Sequence, residues 1–206
     1  MTRHRGHLIG LVAALTLGLT ACGGGDPSAQ SSTSPSSSPS TSAPTSTAPS
    51  PTGPPAQPKG KYGVTVDILN WDKYATDSAV LAYKRAAEAF QGSANLGHLA
   101  PGFTQSFAKP MQRKLVSGLQ FGWTHHLHMP KTVKARVVAS RSRGATTTVV
   151  DCAWGPTYGY YDSHDKWYGT PERYWLRESW TLRKVGGQWK VTAGKSAGKC
   201  AGGAPQ

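Results

Sequence analysis

The feature that most constrains the fold is a long tract of Ser, Thr, Pro, Ala and Gly, which runs from Asp26 to about Lys59. The tract has almost no large apolar residues, so it cannot bury enough surface to offset the entropy that ordering would cost. Its prolines favour extended conformations. We therefore expect residues 22–58 to form a disordered stalk and residues 59–206 to form one domain.

A different pattern precedes the stalk. Arg3 and Arg5 give the start of the chain a positive charge, and an apolar run from Leu8 to Leu19 follows. This run is shorter than the roughly 20 apolar residues that a membrane-spanning helix needs. The order of these features is typical of a secretory signal peptide over residues 1–21, and a single transmembrane anchor is the alternative.

The end of the apolar run, Leu19-Thr20-Ala21-Cys22, resembles a bacterial lipobox. The resemblance implies that the Cys22 sulfur carries a diacylglycerol and that the chain is cut just before this residue. Two or more acyl chains, palmitate among them, make a stable membrane anchor. We therefore expect a lipoprotein that is held at the outer face of the cell membrane, in an extracytoplasmic position.

The three cysteines then divide into one lipid-bearing residue and one pair. If Cys22 carries the lipid, Cys152 and Cys200 remain. Export places them in an oxidising compartment, where a disulfide is the default state of such a pair. A free, reactive thiol is the alternative.

The formal net charge of the chain is +13, and almost all of its charged residues lie in the expected domain. Such a balance attracts anionic partners over a long range. The sequence has no recognised nucleic-acid-binding motif, and we expect no nucleic acid as a partner. Besides the membrane, an anionic envelope polymer or another envelope protein is the expected partner, and simple solubility is the alternative.

The first half of the domain has helical periodicity. Beyond the capping candidates Thr76, Asp77 and Ser78, apolar residues recur three and four apart. Polar residues fall on the opposite face: Lys84, Arg85, Glu88 and Gln91. Gly92 is expected to end this helix. A second helical region runs from about Pro101 to Gly118, and Pro110 should kink or split it.

After Pro130 the period changes to two, which predicts β-strands. Gly186-Gly187 is a typical two-residue hairpin turn between the last two strands. Helices followed by a meandering antiparallel sheet predict an α+β fold in which the helices pack on one face of the sheet.

The late strands carry "VVDC" (Val149 to Cys152) and "WTLRKVGGQWKV" (Trp180 to Val191), and with Cys200 they follow a helical first half. In this the domain resembles the small exported NTF2-like domains of actinobacterial lipoproteins. The resemblance implies a cone in which N-terminal helices pack on a strongly bent antiparallel sheet around a pocket. Relatives of this fold include isomerases and dehydratases.

One carboxylate stands out in the predicted sheet. Simple alternation places Glu178 on the same strand face as Tyr174 and Trp180, and in an NTF2-like cone that face lines the pocket. A desolvated carboxylate has a raised pKa, which suits a general acid or base. The alternatives are a β-bulge that shifts the register and an ion pair with an arginine.

Three other motifs have a simpler explanation. Gly194 to Gly198 matches G-x-S-x-G, but no later His or acid completes a triad. The histidines beside Met129 could bind a soft metal, but the sequence has no second group of ligands at a suitable spacing, so a polar junction between helix and strand is the simpler explanation. The loop residues after Tyr161 could form a metal site or an acid–base pair, but Asp and Ser are also ordinary turn residues. The residues in the last two motifs are His125, His126, His128, Asp162, His164 and Asp165.

No catalytic constellation is complete, and the sequence assigns no catalytic, cofactor-binding or metal-binding residue. We therefore expect a non-catalytic binding or interaction module at the cell envelope. The alternative is a small enzyme of the isomerase or lyase type, with a carboxylate in the cone pocket. A third possibility is docking of an envelope protein on a loop patch of aromatic residues, Tyr158, Tyr160, Tyr161 and Trp167.

Overall fold

A computed structural model describes residues 53–154, 160–164, 166, 168 and 174–205. They lie in one compact unit, Ser50–Gln206. The expected signal peptide, Cys22 and most of the expected stalk lie outside the described residues, as do Tyr158, Asp165 and Trp167. Within the described part of the chain, no helix combines the length and apolarity that a bilayer span requires.

The fold is α+β, as the sequence predicts. A short strand and a 3-10 turn (Trp71–Lys73) precede three helices, and four long strands follow. The strands are β1 (Thr65–Ile68), β2 (Thr132–Arg143), β3 (Thr146–Trp154), β4 (Trp175–Val185) and β5 (Gln188–Cys200), and the helices are α1 (Ser78–Leu96), α2 (Phe103–Ser106) and α3 (Lys109–Thr124).

The five strands form one sheet in the order β1-β2-β3-β4-β5. Strands β2 to β5 are an antiparallel meander, and Gly186 and Gly187 both have positive φ in the last hairpin, as its turn requires. Strand β1 pairs with β2 in parallel, so the sheet is mixed rather than wholly antiparallel. The sequence did not predict β1 because four residues are too few to establish a period.

Helix α1 is capped by one of the three candidates, Asp77, and ends later than expected. The Asp77 carboxylate accepts hydrogen bonds from the backbone N–H groups of Ala79 and Val80. The helix runs through Gly92 and ends at Gly97, whose φ is +72°. Gly92 lies inside the helix because the Tyr62 side chain packs where a Cβ would stand.

Helix α1 is buried over most of its surface, which corrects the predicted polar face at three of its four residues. Lys84, Glu88 and Gln91 are buried, whereas Arg85 is exposed as predicted. The Lys84 ammonium forms an ion pair with Glu88 and donates to the Val66 carbonyl at 2.8 Å, and the Val66 N–H donates to Glu88 at 3.2 Å. These two side chains therefore satisfy the backbone of Val66 in β1, which has a neighbouring strand only on its β2 side.

Pro110 separates the second helical region as predicted. It occupies the first turn of α3, where a missing N–H costs no hydrogen bond, and the short α2 precedes it. The Ala108 N–H donates to the Val191 carbonyl of β5 at 2.9 Å, so the break between the helices is tied to the sheet.

The hydrophobic core lies between α1 and one face of the sheet, called here the inner face. Tyr83 of α1 packs against Trp180 of β4, and Val149 of β3 and Leu182 of β4 join the same cluster. The opposite, outer face carries Cys152. By strict alternation along β3, its neighbour Asp151 points inward.

Candidate functional site

Glu178 lies on the inner face, as the alternation of β4 predicts. Its side chain is only 2% exposed and shares the face with Trp180 and Leu182. The β3–β4 register runs without a shift through Glu178, although β4 and β5 shift register beside it. Among the described residues its carboxylate forms no ion pair with an arginine, and its Oε2 atom has no hydrogen-bond partner.

Sequence reasoning missed a second carboxylate directly opposite. Asp151 pairs with Glu178 across β3 and β4 and is fully buried. The Tyr83 hydroxyl donates to Asp151 Oδ2 at 2.7 Å, and the Trp180 indole N–H donates to Oδ1 at 3.0 Å. The signal was present in the sequence, because Asp151 alternates with the apolar-facing residues Thr147 and Val149.

Burial controls the protonation of this carboxyl pair. Desolvation, and then the charge of Asp151, raises the pKa of Glu178 to about 9. Desolvation also raises the pKa of Asp151 to about 7, although the hydrogen bonds from Tyr83 and Trp180 oppose the shift. At neutral pH Glu178 is therefore a neutral acid, and Asp151, which two core donors stabilise, is the member of the pair that ionises first.

The three residues of the predicted pocket, Glu178, Tyr174 and Trp180, have different surroundings. The Trp180 indole N–H donates to Asp151, the residue opposite Glu178 on β3. Tyr174 is only partly buried, and the Lys199 ammonium lies 4.1 Å from the centre of its ring. The carboxyl pair is enclosed by core side chains, so its geometry is that of a buried structural pair.

The loop candidates form a turn. The Asp162 carboxylate accepts hydrogen bonds from the N–H groups of His164 and Lys166, at 2.8 and 2.9 Å. The N–H of Lys166, followed by that of His164, lowers the pKa of Asp162. Asp165 lies outside the described residues.

The three histidines lie at the end of α3. The His125 ring contacts the Phe121 ring, and the His128 ring stacks on Tyr161. His126 lies between them with a positive φ. Within the described residues, no three His, Cys, Asp or Glu side chains are grouped closely enough to hold a metal ion. The Gly194–Gly198 motif lies inside strand β5 and so lacks the strand–turn–helix that a nucleophile elbow needs.

The two described residues of the expected aromatic patch, Tyr160 and Tyr161, are not fully exposed. Tyr160 is partly buried and its hydroxyl donates to the Gly118 carbonyl at 2.9 Å, and Tyr161 is partly buried against His128. The exposed aromatic side chains here are Phe121 and Tyr168, at 42% and 51% exposure.

The predicted cysteine pair is present on the outer face. Cys152 and Cys200 lie at disulfide distance, with Cα atoms 6.2 Å apart. Beside them, the Arg136 guanidinium lies 4.1 Å from the Trp175 ring centre and donates to the Ala201 carbonyl at 2.9 Å. The Trp175 indole N–H donates to the Gly203 carbonyl at 2.7 Å. The end of the described chain is therefore fixed against this face.

The outer face is strongly cationic. The two acidic residues of strands β2 to β5, Asp151 and Glu178, both lie on the inner face. Cross-strand register places seven basic residues of these strands on the outer side: Arg136, Arg141, Arg143, Arg177, Arg183, Lys190 and Lys195. Of these, Lys190 donates to the Thr104 carbonyl of α2. Within strands β2 to β5 the acids are therefore in the core and the fixed cations are outside. The edge strand β1 adds one outward-facing acid, Asp67, which lies opposite Lys134 in register.

Two cavities open on this face. One, of about 410 Å³, is lined by Arg136, Arg177 and Lys199, together with the disulfide. The other, of about 380 Å³, is lined by Arg141 and Arg143. Both are also lined by Val138 and Arg177, so they are adjoining parts of one surface groove.

The sequence matches no protein-family model and no curated protein. Among solved structures, the intermembrane space region of the chloroplast protein ARC6 is similar at a TM-score of 0.39 and 8% sequence identity, over 60% of this chain and 98% of that chain. A similarity at this level carries no argument about fold family or function.

Proposed function

We propose that this protein is a lipid-anchored extracytoplasmic lipoprotein whose domain is a non-catalytic binding module for an anionic polymer of the cell envelope. In this proposal a lipid on Cys22 holds the chain at the membrane, and residues 22–58 separate the domain from it. The domain, residues 59–206, is proposed to be an actinobacterial NTF2-like cone. The helices that pack on one face of an antiparallel meander support that proposal.

The observation that carries the binding function is the distribution of charge over the sheet. Strands β2 to β5 expose arginine and lysine on the outer face and bury both of their carboxylates. A surface of one sign attracts polyanions from a distance, and arginine pairs with carboxylate and phosphate in a fixed geometry. The acid that the described sheet strands place on this face is Asp67 of the edge strand β1, so the face keeps a large excess of positive charge.

The buried carboxyl pair favours binding over catalysis. An acid–base enzyme needs a carboxyl group within reach of its substrate, whereas Asp151 is fully buried and both its oxygens accept from core side chains. We therefore assign the pair to the stability of the core. The isomerase- or lyase-like alternative would need these carboxyl groups to become accessible.

Co-sedimentation with insoluble polymers tests the binding function. We expect the full chain, purified in a neutral detergent, to sediment with an anionic wall polymer at low salt and not with a neutral polysaccharide. Because exposed charges are screened at high ionic strength, about 0.5 M salt should release it. Equal retention on both polymers, or retention that salt does not reduce, would contradict the proposal.

The anchor is tested separately, in cells. We expect the chain to fractionate with membranes and to incorporate labelled palmitate, and Cys22→Ser to abolish the labelling. Cys152→Ser is the matched control, since it removes a cysteine and should leave labelling intact. Labelling that persists in Cys22→Ser would exclude this residue as the lipid attachment site.

A further inference from the structure

The groove on the outer face runs along β2 through both cavities. We call it the outer groove and define it by the residues that line its two cavities, with Val138 and Arg177 common to both. Val138 lies where the register of β2 and β3 shifts, between Val137 and Ala139. A β-bulge of this kind bends a strand and redirects its side chains, which accounts for the concavity at this point.

The lining of the outer groove is positively charged from end to end. Arg136, Arg177 and Lys199 lie at one end, and Arg141 and Arg143 lie at the other. No carboxylate is present among the described residues that line it. The seven residue steps from Arg136 to Arg143 span roughly 23 Å, at about 3.3 Å per residue. One small anion therefore cannot contact both ends.

The end beside the disulfide is held rigidly. Stacking on Trp175 and the bond to Ala201 fix the Arg136 guanidinium, which still has further N–H groups to donate. The Asn70 side chain holds Val137 through two hydrogen bonds, of 2.8 and 3.0 Å. The bridge ties β5, which carries Lys199, to β3. A site that is already ordered loses less entropy when it binds.

We propose that the outer groove binds successive phosphate groups of a linear phosphodiester polymer, an inference that rests on the proposed function. Two strands, β2 and β4, bring the cations Arg136 and Arg177 to the same cavity, and Arg141 and Arg143 continue the charge along β2. The tetrahedral oxygens of a phosphate accept hydrogen bonds in several directions, whereas a carboxylate accepts mainly in one plane. A concave groove also suits a flexible chain better than a flat lipid surface.

The test compares two double variants of the full chain that remove the same charge. Arg141→Gln with Arg177→Gln alters the outer groove. Arg183→Gln with Lys195→Gln alters the outer face outside the residues that line it. The probe is soluble poly(glycerol phosphate), titrated by calorimetry at fixed low salt, and melting temperatures are measured to show that both variants fold.

We expect the groove variant to bind at least about tenfold more weakly, because it loses charge-assisted hydrogen bonds. The control variant should stay within about threefold of the unaltered chain. Equal losses in both variants would show that binding follows the overall field, and would overturn the groove assignment while leaving the proposed function intact. Absence of binding by the unaltered chain to any polyanion would overturn the proposed function itself.

Two further probes test the chemistry and the source of the phosphate. Poly-L-glutamate of matched charge should bind more weakly than poly(glycerol phosphate), and equal affinity would overturn the preference for phosphate. Vesicles of phosphatidylglycerol should not displace the polymer at equal phosphate concentration. Displacement would show that the outer groove recognises a lipid surface instead.

Discussion

At the scale of single residues, burial determines which ionisable side chains of this domain are charged. Asp151 and Glu178 face each other in the core, and burial favours their neutral forms. Alternation along β4 was sufficient to predict that Glu178 points inward. The same reasoning applied to β3 would have found Asp151, but the hydrogen bonds from Tyr83 and Trp180 depend on the packed structure.

The raised pKa of Glu178 predicts how stability depends on pH. The unfolded chain releases this proton near the ordinary pKa of 4.5, whereas the folded chain retains it up to about 9. The contribution of Glu178 to stability is therefore fully present below about pH 4.5 and is lost as pH rises toward 9. Glu178→Gln cannot ionise, so the variant should melt at least about 3 °C higher than the unaltered chain at pH 9, and close to it at pH 5.

Thermal unfolding at several pH values measures this effect, and Asp162→Asn is the control. Asp162 has a lowered pKa, so its folded and unfolded forms are both ionised above about pH 5, and its replacement should give no gain with rising pH. A Glu178→Gln variant that becomes less stable relative to the unaltered chain as pH rises would show that the carboxylate is stabilised in the fold.

At the scale of helices and strands, local signals were reliable where they reflect backbone geometry. The Asp77 cap, the break at Pro110 and the Gly186-Gly187 turn each depend on a residue's own conformational preference, and each is present. The end of α1 was predicted wrongly at Gly92. This glycine does not end the helix but leaves room for the side chain of Tyr62, which is far away in sequence and packs against it.

Helix α1 shows a second limit of periodicity. Polar residues opposite an apolar face usually contact solvent, yet Lys84 and Glu88 are buried and bond to the backbone of β1. A strand of four residues with a free edge needs such partners, because unpaired buried backbone groups are costly. Since β1 could not be predicted from its length, the burial of these side chains could not be predicted either.

At the scale of the whole molecule, strands β2 to β5 place their acids on one face of the sheet and most of their cations on the other. The sequence showed that the domain is basic, but not that its cations converge, since Arg136 and Arg177 are far apart along the chain. Their convergence follows from the meander of β2 to β5 and from the bridge at its end. Composition thus predicts an anionic class of partner, and topology was needed to locate the surface that we propose to bind it.

The central claim is that the outer face of the sheet contacts an anionic polymer, and chemical footprinting of lysine and arginine tests it most directly. With poly(glycerol phosphate) bound, mass spectrometry should show Arg141, Arg143 and Arg177 protected from modification, while Lys109 and Lys114 on α3 stay reactive. Protection of the α3 lysines, with unchanged reactivity in the outer groove, would contradict the account.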